Sequence, residues 1–131
     1  MTLTRYPMEW NQAPLSAAVG AGGFLFCSGH TGARDQDGNR VDGDIRAQTR
    51  LCLQNMEKTL AQAGAGLQDV VKTQVFLTDA ADFDAMNEVY ADVFGEHVPA
   101  RSTTVTGLVR DFMLIEIECI AYLAPPGAKA E

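Results

Sequence analysis

Two short stretches near the carboxyl end of the chain carry the side chains best suited to chemistry. In residues 99–105, Arg101 and Thr103 fall on the same side of a β-branched, alternating pattern. In residues 114–120, glutamates alternate with aliphatic residues, and the first of them is Glu116. This period-two pattern is typical of half-buried strands, whose successive side chains face opposite ways. We expect two neighbouring strands that bring a guanidinium close to a carboxylate.

An arginine beside a glutamate on a sheet allows two interpretations. The guanidinium of Arg101 can bind a planar carboxylate ligand through two parallel hydrogen bonds. Alternatively, Arg101 and Glu116 form a structural ion pair on the sheet surface, and spacing alone favours this simpler interpretation.

The composition predicts one domain that spans residues 1–131. A chain of 131 residues, 47% of them hydrophobic, can bury roughly two thirds of its unfolded surface. The net charge of -7 disfavours a nucleic-acid partner, because such binding normally needs a clustered basic face. No apolar run approaches the ~20 residues of a membrane span, so no membrane partner is expected.

The cysteine pattern predicts buried free thiols in a reducing cytoplasm. Cys27, Cys52 and Cys119 lie in two predicted strands and one predicted helix, without C-x-x-C spacing and without a signal peptide ahead of them. The polar loop at residues 35–39 lacks the twelfth-position ligand and the flanking helices of a calcium loop. We therefore expect no metal site.

The hydrophobic pattern predicts an α+β fold in which two helices cover one face of a mixed sheet. Gly22 and Gly23 suit a tight hairpin, Asp44 and Gly64 the two ends of the first helix, and Asp82 the start of the second. Strands are expected at residues 2–6, 16–21, 24–28, 70–77, 99–105 and 114–120, and helices at 45–63 and 82–94. The single histidines, His30 and His97, are expected to be structural.

Several stretches resemble the sequence signatures of the Rid (YjgF) family, the reactive-intermediate imine deaminases. The run PARS at 99–102 and the run IEIE-x-IA at 115–121 resemble the family's C-terminal signature. Residues 24–30 resemble its apolar strand ending in S-G-Q, residues 47–55 its helix signature AQ-x-R-x-x-L-x-N, and residues 70–79 its VVK-x-x-V-F-x-x-D strand. The resemblance runs in family order from Ala13 to Tyr122.

This resemblance implies a chorismate-mutase-like fold and a homotrimer with pockets in the clefts between subunits. It implies hydrolysis of a small 2-imino or enamine acid, of the 2-aminoacrylate type, to a 2-keto acid and ammonia. No cofactor is implied. Arg101 would clamp the substrate carboxylate, Glu116 would position or polarise water, and backbone groups at Ser28 and Gly29 would line the pocket.

Two substrate-binding positions depart from the family pattern. Thr103 stands where many deaminases have cysteine, and Leu15 stands where they have the tyrosine of a G-P-Y stretch. Two other functions stay open: a module that binds a 2-keto acid or a related small carboxylate without turnover, and the endoribonuclease or translation-inhibitor activity behind an older family name. The acidic charge makes RNA cleavage the least favoured of the three.

Overall fold

A six-stranded β-sheet carries two helices on one of its faces. The computed structural model describes residues 2–35 and 37–125. The strands are β1 (Thr4–Pro7), β2 (Ser16–Ala21), β3 (Phe24–Thr31), β4 (Val70–Leu77), β5 (Ala100–Val105) and β6 (Ile115–Tyr122), and the helices are α1 (Ile45–Gln62) and α2 (Phe83–Phe94). The strand order is β1-β2-β3-β6-β4-β5, with β4 and β5 parallel and the other neighbours antiparallel. The predicted mixed α+β architecture is confirmed.

The strands that carry Arg101 and Glu116 are not neighbours, so the expectation of an adjacent pair is wrong. β4 lies between them and pairs parallel with β5 and antiparallel with β6. A parallel pair needs a crossover connection, and α2 supplies it between β4 and β5. The connection at residues 106–114 then carries the chain to the other side of β4.

The hairpin of β2 and β3 forms as predicted, but β3 is longer than the pattern indicates. Gly22 and Gly23 have φ angles of 59° and 84°, which suit the tight turn. The sequence predicts an end before Gly29. Instead, the pairing of β3 with β6 shifts register between Cys27 and His30, and this irregularity lets the strand continue to its observed end.

Helix α1 begins as predicted, whereas α2 does not use its predicted cap. The side chain of Asp44 accepts a hydrogen bond from a backbone N–H in the first turn at 3.1 Å. Asp82 makes no such bond at the start of α2. Asp79 instead accepts a backbone N–H at 2.9 Å and begins the short 3-10 turn that leads into α2.

The two faces of the sheet differ in character. On the face that carries the helices, Ile115, Ile117 and Cys119 are buried, while Glu116 lies on the open face, as the alternation predicts. The three cysteines are buried and free, also as predicted. Three aromatic side chains of the open face stay 40–47% exposed: Phe24, Phe26 and Tyr122. Neither helix in the described part of the chain is long and apolar enough to cross a membrane.

Candidate active site

Glu116 and Gly29 meet on the open face of the sheet. Glu116 is opposite Thr31 in the pairing of β6 with β3, and Gly29 lies in the irregular stretch just before it. A Cβ atom built on Gly29 would fall 2.8 Å from Cδ and 3.1 Å from Cγ of Glu116, and closer still to Oε2. Only a glycine therefore allows the carboxyl to lie against the backbone of β3 at this point.

The carboxyl of Glu116 is half-buried, and the described part of the chain offers it no compensating partner. Burial raises its pKa above the ordinary value of 4.5, and the neighbouring charge of Glu118 raises the pKa further. Within residues 2–35 and 37–125, Glu116 makes no side-chain hydrogen bond or ion pair. A carboxyl whose pKa lies nearer neutrality is better suited to exchange a proton with a substrate or a water molecule.

His30 holds the backbone next to Gly29, which confirms its predicted structural role. Its Nδ1 lies 2.6 Å from the carbonyl oxygen of Ser28, and its Nε2 lies 2.7 Å from the hydroxyl of Thr59. Because a carbonyl oxygen can only accept, Nδ1 carries the proton and Nε2 accepts from Thr59. Burial lowers the pKa of His30, and the hydrogen bond to Ser28 opposes this only in part. The neutral ring is therefore a structural support of the bend.

The hydroxyl of Ser28 already makes a hydrogen bond within the chain. Its geometry therefore agrees with the prediction that Ser28 contributes backbone groups, and not its side chain, to the pocket. Its Oγ donates to the carbonyl oxygen of Ser16 at 2.7 Å. Leu15, directly before Ser16, is 44% exposed. Ser28 and Leu15 thus lie at the same end of the β2–β3 pair, the end at which Gly29 and Glu116 meet.

Gln48, in α1, fixes the connection that leads into β6 and so helps to place Glu116. Its buried amide nitrogen donates to the carbonyl oxygens of Val41 at 2.6 Å and Phe112 at 2.9 Å. Its amide oxygen accepts from the N–H of Leu114 at 2.9 Å. The sequence pattern points to Gln48 only as part of a helix signature and does not reveal these bonds.

Arg101 lies on the other face of the sheet, against α2. Its side chain contacts the sulfur of Met86 at 3.9 Å, and its guanidinium lies 4.8 Å from the ring centroid of Tyr90 and 5.7 Å from that of Phe83. Among the described residues it forms no ion pair. The interpretation of Arg101 and Glu116 as a structural ion pair is therefore wrong within this chain. Thr103 lies on the same face of β5 as Arg101.

The predicted site residues fall into two groups that do not converge within one chain. Arg101 is in register with Thr73 of β4, whereas Glu116 is in register with Phe76. Two strand spacings and three residue steps separate their Cα atoms by roughly 14 Å. Their side chains also leave opposite faces of the sheet. A small substrate cannot touch both groups of one chain.

Asn87 is a polar residue of α2 that the sequence analysis missed. It lies in α2 between Met86 and Tyr90, both of which contact the arginine. Its Oδ1 is buried and has no hydrogen-bond partner. Such an atom is costly unless something binds it. The sequence signal that could have pointed to Asn87 is a carboxamide four residues after Phe83, on the apolar side of the helix.

No group of three His, Cys, Asp or Glu side chains in the described residues could hold a metal ion.

Comparison with known proteins identifies the family. The profile described as Endoribonuclease L-PSP matches residues 10–123. A solved structure of a YjgF/YER057c/UK114 family member from Mycobacterium tuberculosis superposes with a TM-score of 0.79 at 35% identity, covering 92% of this chain and 99% of that one. The chain belongs to the Rid/YjgF family. The YjgF-like fold implied by the sequence motifs is thereby confirmed.

Two curated relatives show what names occur among proteins similar to this Rid/YjgF chain. The chain is 46% identical over 111 residues to "Protein mmf2, mitochondrial" of Schizosaccharomyces pombe, covering 82% of this chain and 86% of the relative. It is 38% identical over 111 residues to "3-aminoacrylate deaminase RutC" of Acinetobacter baylyi, covering 85% and 88%. Deaminases are therefore present among its relatives.

Proposed function

We propose that this chain is an enamine/imine deaminase, a hydrolase that acts on C=N bonds. Its substrates are small 2-imino acids and their enamine tautomers, of the 2-aminoacrylate type. Water adds to the imine carbon, and the resulting carbinolamine loses ammonia and leaves a 2-keto acid. The deaminase name of a relative at 38% identity supports this reaction class.

The carboxyl of Glu116 is the observation that carries the proposal. It lies against the backbone at Gly29, has no ionic or hydrogen-bonding partner among the described residues, and has a raised pKa. In the proposed mechanism, Glu116 accepts a proton from the attacking water and returns a proton to the nitrogen that leaves. Backbone groups of Ser28 and Gly29 line this side of the pocket, with Leu15 beside them.

Arg101 binds the substrate carboxylate through its planar guanidinium, with Thr103 on the same strand face. Contacts with Met86 and Tyr90 orient the guanidinium without neutralising it. Because Arg101 and Glu116 leave opposite faces of one sheet, the complete site requires Arg101 from one subunit and Glu116 from another. We propose a homotrimer that covers the exposed aromatic side chains of the open face.

We place the protein in the cytoplasm, because three buried free thiols suit a reducing compartment. The proposed reaction needs no cofactor, since attack of water on a C=N carbon requires only positioning and proton transfer.

Turnover is tested with an imine generated by a pyridoxal-dependent enzyme and trapped with semicarbazide. The protein should accelerate loss of the imine. An unchanged decay rate across several amino-acid precursors would instead favour a module that binds a 2-keto acid without turnover. The same protein preparation, incubated with single-stranded RNA, tests the endoribonuclease alternative directly.

Arg101 variants test the carboxylate clamp. Arg101→Ala should lower kcat/KM by about 30- to 1000-fold, because charge-assisted bonds worth about 2 to 4 kcal/mol are lost. Arg101→Lys keeps the charge but loses the two-pronged geometry, so it should fall between the wild type and Arg101→Ala. Near-normal turnover by Arg101→Ala would refute the clamp.

Mixed trimers test whether the site is shared between subunits. Arg101→Ala and Glu116→Gln subunits, each expected to be strongly impaired alone, are unfolded together and refolded as a mixture. If each site takes its arginine from one subunit and its glutamate from the next, random assembly should restore about one quarter of wild-type activity. Absence of any restored activity in trimers verified by light scattering would refute a site shared by Arg101 and Glu116.

A further inference from the structure

A cavity lies beside the end of β3, and none of the six residues proposed for catalysis or substrate binding lines it. Its volume is about 870 Å³. It is bounded by residues 10–13, by the chain that follows β3, by the outward side of α1 and by residues 109–113. This volume is in the range of small-molecule sites, which extend to about 1,000 Å³.

The cavity has an excess of positive charge, although the whole chain carries a net charge of -7. Arg34, Lys58 and Arg110 line it, and Asp35 is the one carboxylate among its described lining residues. We call this cavity the basic groove. The Asp35 carboxylate already accepts the N–H groups of Asp37 at 3.0 Å and Asn39 at 2.9 Å.

The three cations of the basic groove have no carboxylate partner in the part of the chain that the structure describes. Elsewhere on the surface, Arg46 pairs with Glu88 and Arg50 with Asp92. No ion pair is formed by Arg34, Lys58 or Arg110 within the described ranges. Three unpaired cations around one concave surface attract anions, and low-dielectric walls strengthen that attraction.

Aromatic side chains give the groove a second chemical character. Trp10, the single tryptophan of the chain, lines it and is 44% exposed. The ring of Phe112 lies 5.1 Å from the guanidinium carbon of Arg34, which it holds at the wall of the groove. Arg34 also donates to the carbonyl oxygen of Gly38 at 3.0 Å. One cation of the groove is thus fixed in place. The indole of Trp10 lies tilted against the ring of His30, with 5.8 Å between the ring centroids, and its exposed part is available for a planar ring to stack on.

We infer that the basic groove binds a small organic anion in which a phosphate or carboxylate is attached to a planar ring. Arg34, Lys58 and Arg110 would bind the anionic group, and Trp10 would stack on the ring. A long polyanion fits less well, because the rest of the surface is acidic. The groove begins at Thr31, which is paired with Glu116 across the strands, so its ligand would lie next to the proposed deaminase site without occupying it.

The position of Trp10 provides a direct binding assay that does not depend on turnover. Full-length protein is titrated with phenyl phosphate while tryptophan fluorescence is excited at a wavelength the ligand does not absorb. We expect saturable quenching, and binding roughly tenfold tighter than that of inorganic phosphate measured by displacement, because only phenyl phosphate can stack. Phenyl phosphate and benzoate, compared at equal ionic strength, distinguish a phosphate ligand from a carboxylate.

Matched charge variants locate the site. Arg110→Gln and Lys58→Gln should each weaken binding of phenyl phosphate by roughly tenfold, the loss expected for one charge-assisted hydrogen bond. Arg50→Gln changes the net charge equally but lies outside the groove, so it should leave the dissociation constant unchanged. Arg101→Ala should also leave it unchanged, which separates this site from the proposed carboxylate clamp.

Three results would overturn the inference. If Arg50→Gln and Arg110→Gln weakened the binding of phenyl phosphate equally, the loss would follow from the change in net charge and not from a site in the groove. Displacement of phenyl phosphate by pyruvate, together with weakening by Arg101→Ala, would make the groove part of the deaminase site. If inorganic phosphate bound as tightly as phenyl phosphate, the planar ring would contribute nothing to binding and would have no place in the inferred ligand. Each result is independent of whether the protein hydrolyses imines.

Discussion

Replacing Gly29 with alanine should lower the rate of imine hydrolysis strongly while it changes the free energy of unfolding only a little. The new Cβ would fall 2.8 Å from Cδ of Glu116, whereas carbon atoms in contact lie about 3.5 to 4.0 Å apart, so the carboxyl must move by roughly 0.7 to 1.2 Å. A misplacement of about 1 Å can lower an enzymatic rate about 100-fold. The group that moves is the end of a flexible, half-buried side chain, so the loss of stability should be about 1 kcal/mol or less.

The assay compares kcat/KM for imine hydrolysis with the free energy of unfolding in Gly29→Ala and in a matched variant, Gly20→Ala. Gly20 lies in β2 of the same sheet, and a Cβ there would meet its nearest neighbours at 3.8 Å, an ordinary contact. Gly20→Ala should therefore keep both activity and stability. Wild-type turnover by Gly29→Ala would refute the role of Glu116, and parallel loss of activity and folding would refute the distinction between them.

Three further predictions concern stability. Glu116→Gln should raise the melting temperature at pH 8. The pKa of Glu116 is raised in the folded state, so its contribution to stability is fully present below the ordinary pKa of 4.5 and is lost as the pH rises through the folded-state pKa. A plot of melting temperature against pH that is the same for the variant and the wild type from pH 4 to 8 would contradict this. His30→Gln should reduce the fall of the melting temperature in acid. The pKa of His30 is lowered in the folded state, so its contribution to stability is present above pH 6.5 and is lost as the pH falls through the folded-state pKa. Gly32→Ala should cost about 3 kcal/mol or more in urea unfolding, because its Cβ would lie 2.6 Å from the backbone nitrogen of Cys52 in α1, which cannot move aside as a side chain can.

Local pattern predicted most of the elements because each carries its own signal. Alternation places Glu116 and Ile117 on opposite faces of β6, and the observed burial confirms it. The cap at Asp44 and the double-glycine turn also depend on a few adjacent residues. Asp82 failed as a cap because the equally suitable Asp79, three residues earlier, begins a 3-10 turn in front of α2. Two acids near a helix start do not by themselves show which one accepts the N–H.

The order of the strands in the sheet could not be predicted from the sequence pattern. Alternation indicates which face of the sheet a residue occupies, but it does not indicate which strand lies beside it. The proximity of residues 99–105 and 114–120 in the chain favoured a neighbouring pair. The β4–α2–β5 crossover places β5 at the edge, and β6 then pairs with the free side of β4. The bend before His30 was hidden for a related reason: a register shift depends on the partner strand, and β3 alone does not contain it.

The separation of Arg101 from Glu116 changes what their charges imply. Had the two residues formed the expected ion pair, each would neutralise the other, and neither would need a ligand. Instead, the guanidinium lies against Tyr90 and Met86, and the half-buried carboxyl lies against Gly29 without an ionic partner among the described residues. Keeping a partly buried charge without a partner costs stability. In the proposed homotrimer, two subunits would give these two groups a common ligand between them. The geometry that leaves one chain incomplete therefore agrees with the proposed shared site for a small imino acid.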